Sequence, residues 1–107
     1  MTRKIALECK IEQGGFPYEK LFRIPLDKGE YIGGSAFDHC WYKNGEPFTE
    51  HDPKGEQAIE GIIAARIIDA SDTQNILVAI PNGETIRVSK EKLLERPGKE
   101  GYVSYRP

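Results

Sequence analysis

The chain has 107 residues, 38% apolar and 30% charged, with 15 basic side chains, 17 acidic ones and two cysteines. This length suits one domain around one modest core, and the composition is that of a globule, not of a disordered chain. It excludes a bilayer span, because the longest apolar run, Ile62–Ile68, is broken by Arg66, and two cysteines are too few for a disulfide framework.

In chain order, residues 3–12 alternate cleanly, with Ile5, Leu7, Cys9 and Ile11 on one face and Lys4, Glu8, Lys10 and Glu12 on the other. Period two over this length predicts a half-buried strand. Gln13-Gly14-Gly15 breaks it, and Phe16-Pro17-Tyr18 forms a bulky loop. Residues 20–26 resume alternation, with Phe22, Ile24 and Leu26 on the core face; Pro25 restricts them to an edge or a strand end. After the turn Asp27-Lys28-Gly29, a short extended piece ends at Gly33-Gly34. Phe37–Lys43 reads as a strand with Phe37, His39 and Trp41 on one face and Asp38, Cys40 and Tyr42 on the other. Of these aromatics, Trp41 is expected to be buried and Tyr42 to face outward. Phe48–Gln57, with Pro53 and Gly55, reads as the least structured segment.

The organising stretch is Gly61–Leu94. Two apolar runs, Ile62–Ile68 and Ile76–Ile80, flank the polar loop Asp69–Gln74, and Pro81-Asn82-Gly83 leads into a third run, Thr85–Val88. A helical stripe through Ile59, Ile62, Ile63 and Ile67 also fits, but Gly61 and the β-branched residues favour a strand. Asn82-Gly83 and Asn44-Gly45 predict tight hairpins of type I′, with both residues at positive φ. Ser89 can cap one helical turn over Lys90–Leu94, and Gly101–Pro107, which alternates, reads as a final strand or a tail, the tail slightly favoured. The expectation is therefore an all-β fold, a small antiparallel barrel or strongly twisted sheet of about six strands.

This order of elements resembles the Src homology 3-like barrels, including KOW-type modules. The matching residues are Gly61, Ile62–Ile68, Ile76–Ile80, Asn82-Gly83-Glu84, Ile86–Val88 and Leu93-Leu94, about a third of the chain. The resemblance implies a binding module and not an enzyme. The chain departs from the peptide-binding members in having no aromatic in Asp69–Gln74, and from the nucleic-acid-binding members in its lack of basic excess.

No catalytic or metal signature emerges. Cys9, His39, Cys40 and His51 lack the paired spacing of zinc ligands, and adjacent His39 and Cys40 point to opposite faces of a strand. A Cys40–His51 nucleophile would sit among carboxylates, which raise a thiol's pKa. Glu50 and Asp52 lie in a Pro/Gly loop without an apolar setting to separate their pKa values. The expectation is no metal, no cofactor and no enzyme activity. The charge is uneven: residues 29–60 hold seven acidic and two basic groups, and the densest aromatic stretch falls in the same third. Exposed rings beside carboxylates suit a protein partner, so the candidate site is Phe37, Asp38, Trp41, Tyr42 and Glu50. The alternative is a nucleic-acid surface along Arg87, Lys90, Lys92 and Arg96. The absence of an apolar leader core places the expected site of action in the cytoplasm, with reduced cysteines; the oligomeric state is left open.

Overall fold

The computed structural model describes residues 4–26, 29–36, 38–55, 57–96 and 101–106. Its strands are β1 (Lys4–Gln13), β2 (Lys20–Pro25), β3 (Tyr31–Ala36), β4 (Cys40–Tyr42), β5 (Ile59–Asp69), β6 (Asn75–Ala79), β7 (Thr85–Ser89), β8 (Leu93–Arg96) and β9 (Val103–Ser104). Among the described residues there is no α-helix; the 3-10 turn Lys90–Lys92 follows β7, and Ser89 caps it by accepting from Glu91 N. No helix among the described residues is long and apolar enough to cross a membrane.

The main path of the sheet is β3-β2-β1-β5-β6-β7, antiparallel throughout and curled into a half-barrel. Its axis is the β1–β5 pair, seven residues in continuous register from Ile5↔Ala65 to Ile11↔Ile59. Each of these two strands is long enough to serve two partners on its far side. On β1, residues 10–13 pair with β2 and residues 4–7 with β8, leaving Glu8 and Cys9 as a notch between them. On β5, residues 61–63 pair with β4 and residues 66–69 with β6. A bulge between Ile67 and Asp69 turns Ile68 outward, where it is 44% exposed despite lying in an apolar run.

The inner face carries the core. Leu7, Cys9, Ile11, Phe22, Ile24, Ile63, Ile76, Val78, Ile86, Val88 and Leu93 are all buried in one cluster, as the period-two reading of these segments requires. Ala6 and Ile62 are also fully buried but point to the outer face, apart from that cluster. Trp41 is paired with Ile62 and Leu94 with Ala6, and Tyr102 lies against Trp41 with ring centroids 6.4 Å apart. These residues form a small second core.

Several expectations are corrected. The strand expected over Phe37–Lys43 contracts to Cys40–Tyr42, and its faces are reversed: Cys40 enters the main core, Tyr42 packs on Phe48 with centroids 4.4 Å apart, and Trp41 covers the outer patch. Phe37 lies outside the described residues. The two Asn-Gly turns are not type I′. In each, a three-residue loop closes with only the glycine left-handed, Gly45 at φ 90 and Gly83 at φ 89. Gly83 N donates to Ile80 O (3.0 Å) and Gly45 N to Tyr42 O (2.8 Å), while Asn82 and Asn44 accept from the N–H of Glu84 and Glu46. The extra residue, Pro81 or Lys43, makes this a type I turn followed by a glycine bulge. The expected tail instead adds β9 to β8, fixed by Tyr105 N donating to Leu93 O at 3.0 Å.

Gly61 is where β4, β5 and β1 meet. A Cβ there would lie 2.9 Å from the backbone oxygen of Trp41 and 3.0 Å from Ile11 Cγ1. Gly61→Ala is expected to lower the urea midpoint by the equivalent of about 1–3 kcal/mol, the cost of overpacking. Gly83→Val is expected to cost about 1–2 kcal/mol for its left-handed backbone. Gly15→Ala, which has open space and no positive φ, serves as the near-neutral control.

Candidate functional site

The loop between β1 and β2 is built more tightly than its sequence, Gly14-Gly15-Phe16-Pro17-Tyr18-Glu19, suggests. Gly14 N donates to Glu19 O (2.9 Å) and Glu19 N to Phe16 O (3.1 Å), closing the backbone on itself. The Glu19 carboxylate then turns inward. Oε1 accepts from Gly15 N at 2.8 Å and Phe16 N at 3.4 Å, and Oε2 accepts from the Ser35 hydroxyl at 2.9 Å. The bond from Ser35 and then that from Gly15 hold the Glu19 carboxyl below its usual pKa. Any side chain on Gly14 would collide with Glu19.

Tyr18 is held at φ 65, and among the described residues no other non-glycine has positive φ. A bulky residue in this region is strained, and such strain persists only where surrounding bonds over-determine the backbone. The loop nevertheless leaves Phe16 69% and Tyr18 55% exposed. They are the tip of a braced loop, not part of the core.

Lys20 supports the loop from beneath. It is 1% exposed, on the same face as Phe22 and Ile24, and its ammonium donates to Thr49 O (3.0 Å) and Glu50 O (3.1 Å), 6.0 Å from the Phe48 ring centroid. Tyr18 N donates to Glu50 O as well, at 3.2 Å. The turn Thr49–Asp52 is closed by Thr49 N and Oγ1 donating to Asp52 Oδ2 (3.1 and 2.8 Å). Those bonds, with a further one from the Tyr42 hydroxyl, hold the Asp52 carboxyl below its usual range. The segment read as least structured is thus fixed through Asp52, with Pro53 buried.

Of the candidate residues that the structure describes, Glu50 belongs to this tip, and Asp38, Trp41 and Tyr42 do not. The Glu50 carboxylate lies 3.8 Å from His51 Nε2, and His51 Nδ1 is 3.5 Å from Gln13 Nε2. Tyr42 lies beneath; burial first, then the Asp52 charge, raises its pKa. Asp38 is exposed beside His39 at 3.2 Å, and Trp41 is on the outer face with Tyr102. Trp41 and Tyr42 therefore do not share a surface, as alternation along β4 requires. Phe16 and Tyr18 were missed as site residues; a six-residue loop with paired glycines and two aromatics was the available signal.

Of the candidate basic residues, Arg87 and Lys92 line one cavity, together with Lys10 and Lys43. Arg87 donates to Asn75 O at 3.3 Å, and Arg96 lies 6.0 Å from the Tyr102 ring centroid. Lys90 is half-buried and Lys92 exposed. Among the described residues, no group of three or more His, Cys, Asp or Glu side chains is placed to hold a metal. His39 and His51 are exposed, whereas Cys9 and Cys40 are buried.

No family model, curated protein or solved structure matches this chain.

Burial pushes the Cys9 thiol from 9.0 to about 12, with smaller contributions from Cys40 and Glu8. It pushes Cys40 from 9.0 to about 11; Lys20 opposes this shift and Asp38 adds to it. Both thiols keep their protons in the fold, so their contribution to stability is complete below pH 9 and is lost as pH rises toward 11 to 12. Urea midpoints measured across this window should fall more steeply for the native chain than for the Cys9→Ala/Cys40→Ala variant. At neutral pH neither thiol should react with an aromatic disulfide reagent until the chain is unfolded.

Proposed function

We propose that the protein is a small, non-enzymatic interaction module of the cytoplasm that binds a protein partner through an aromatic and acidic tip. Phe16 and Tyr18 supply the rings and Glu50 the charge. The observation that carries this reading is the combination of strain, bracing and exposure at Tyr18. A loop with no task would relax φ 65 or fold its rings away; this one spends Glu19, Lys20 and Ser35 on holding them out. Rigid aromatics bind well because little side-chain freedom is lost on contact, and they form the energetic centre of many interfaces. Glu50 beside them suits a partner surface that carries a basic group and gives orientation more than affinity.

The barrel-like scaffold agrees with a binding role. So does the engagement of Arg87 and Arg96 with the protein itself, which leaves the nucleic-acid reading without a specific observation in its favour.

A photo-crosslinking residue at Pro17 should capture a discrete partner in the source cell, and the same residue at Asp72, on the β5–β6 loop, should not. Against the captured partner, Phe16→Ala is expected to weaken binding at least about tenfold with little change in stability. Tyr18→Gly separates the two roles of that residue. Glycine accepts φ 65, so stability should hold or rise by up to about 1 kcal/mol, yet binding should fall as for Phe16→Ala. Unchanged affinity in both variants would refute the reading.

A further inference from the structure

The six-strand path leaves two uncovered edges among the described residues, β3 and β7. At one end they nearly touch, since a side chain on Gly34 would come within 3.3 Å of Asn82 Nδ2. From there they diverge. An open cleft separates Tyr31–Gly33 from Glu84–Ile86. Further along the same two walls, between Leu26 and Glu30 on one side and Arg87 and Val88 on the other, lies a cavity of about 380 Å³. Glu8 and Cys9, the notch where β1 has neither β2 nor β8 beside it, line it together with the adjoining Leu7. A seam thus runs along these two walls, narrow at Asn82 and deep at the notch, where apolar Leu7, Cys9 and Ile24 share the lining with the charged Lys10, Lys43 and Lys92.

The β3 wall presents open ladder groups. Leu26 N donates to Glu30 O at 2.8 Å, which makes these two a hydrogen-bonded pair. Bonded and non-bonded pairs alternate along an antiparallel ladder. Ile32 and Gly34, opposite Ile24 and Phe22, therefore bond to β2, while Tyr31, Gly33 and Ser35 turn their N–H and C=O toward the seam. Pro25, opposite Tyr31, fits this parity because it has no N–H to give. Edges are normally guarded by charges, prolines or bulges. β3, Tyr31-Ile32-Gly33-Gly34-Ser35-Ala36, has none of these.

We propose that the seam is a groove for an extended peptide strand. The strand pairs antiparallel with β3 through Tyr31, Gly33 and Ser35. Where it runs on past Tyr31, it sets an apolar side chain into the cavity over Leu7 and Cys9. The occupant is a single strand and not the edge of a second copy, because β7 stands as an opposing wall. A lone segment enters such a seam, whereas a folded sheet would bring its neighbouring strands against β7. The main-chain bonds give affinity and the cavity gives side-chain selection. This inference rests on the seam alone and is independent of the loop at Tyr18.

The test is a selection of linear peptides from a displayed library, followed by titration of the best synthetic peptide into isotopically labelled protein. The Gly33 and Ser35 amides should shift and become protected from hydrogen exchange, with no comparable change at Phe16 or Tyr18. Gly33→Pro removes an outward donor without touching the β2–β3 bonds, a place where an edge tolerates proline. It should weaken the peptide about tenfold, while Gly33→Ala, which keeps the N–H, should stay within about threefold. If Gly33→Pro does not fold, the amide protection decides. The proposal is overturned if selection yields no binder, if peptides map elsewhere, if the proline and alanine variants bind alike, or if sedimentation shows a dimer joined through β3.

Discussion

Everything in this fold depends on β1 and β5 lying side by side over seven residues and then bending together. A straight pair would take one neighbour on each flank. The bent pair takes two, β2 and β8 beyond β1, β4 and β6 beyond β5, and so a short chain wraps most of the way around one core. Gly61 sits at the crossing. It lets the Trp41 backbone and the Ile11 side chain close on the same point, where any other residue would hold them apart. The notch at Glu8–Cys9 is the geometric complement of the bend: the divergence of β2 from β8 that lets β1 serve both also leaves a stretch of strand that neither covers.

Lys20 shows how a charge can be placed inside such a small structure. Among the described residues it has no carboxylate partner; two backbone carbonyls and the face of Phe48 take up its ammonium. Hydrogen bonds from a charged donor are stronger than neutral ones, and those carbonyls belong to a turn that has no strand to bond with. The lysine therefore adds a charged donor to carbonyls that also accept from Asp52 N and Tyr18 N. Because Tyr18 N shares the Glu50 carbonyl, the same anchor fixes the aromatic loop from below.

The alternating segments were legible because their two faces meet different surroundings. Ile5 to Ile11, Phe22 to Ile24 and Ile76 to Val88 read directly as core, and the three-strand meander β5–β6–β7 followed from its turns. What escaped was decided by contacts distant in sequence. Lys20 reads as a polar strand start until the carbonyls thirty residues on are brought over it. β4 carries only three residues, too few for its period to tell inside from outside, so Trp41 and Tyr42 were assigned to the wrong faces. The Asn-Gly turns were recognised, but their type depends on whether the preceding residue lies in the loop or in the strand, which β-ladder register alone fixes. The loop at Phe16–Tyr18 carried its aromatics openly, yet only Glu19 folding back on the backbone distinguishes a braced loop from a loose one.

The outer patch around Trp41 has a consequence for how unfolding would be seen. This is the chain's single tryptophan, and it lies against Tyr102 on the face away from the main core. Its emission therefore reports on the docking of the C-terminal segment, the part of the sheet held by two residue pairs between β8 and β9, and not on the eleven-residue strand beneath. Should that segment peel away first, a fluorescence transition would precede the loss of backbone ellipticity, and an observer comparing the two would infer an intermediate. The intermediate would be a half-barrel intact in every core strand, with only its outer cover removed.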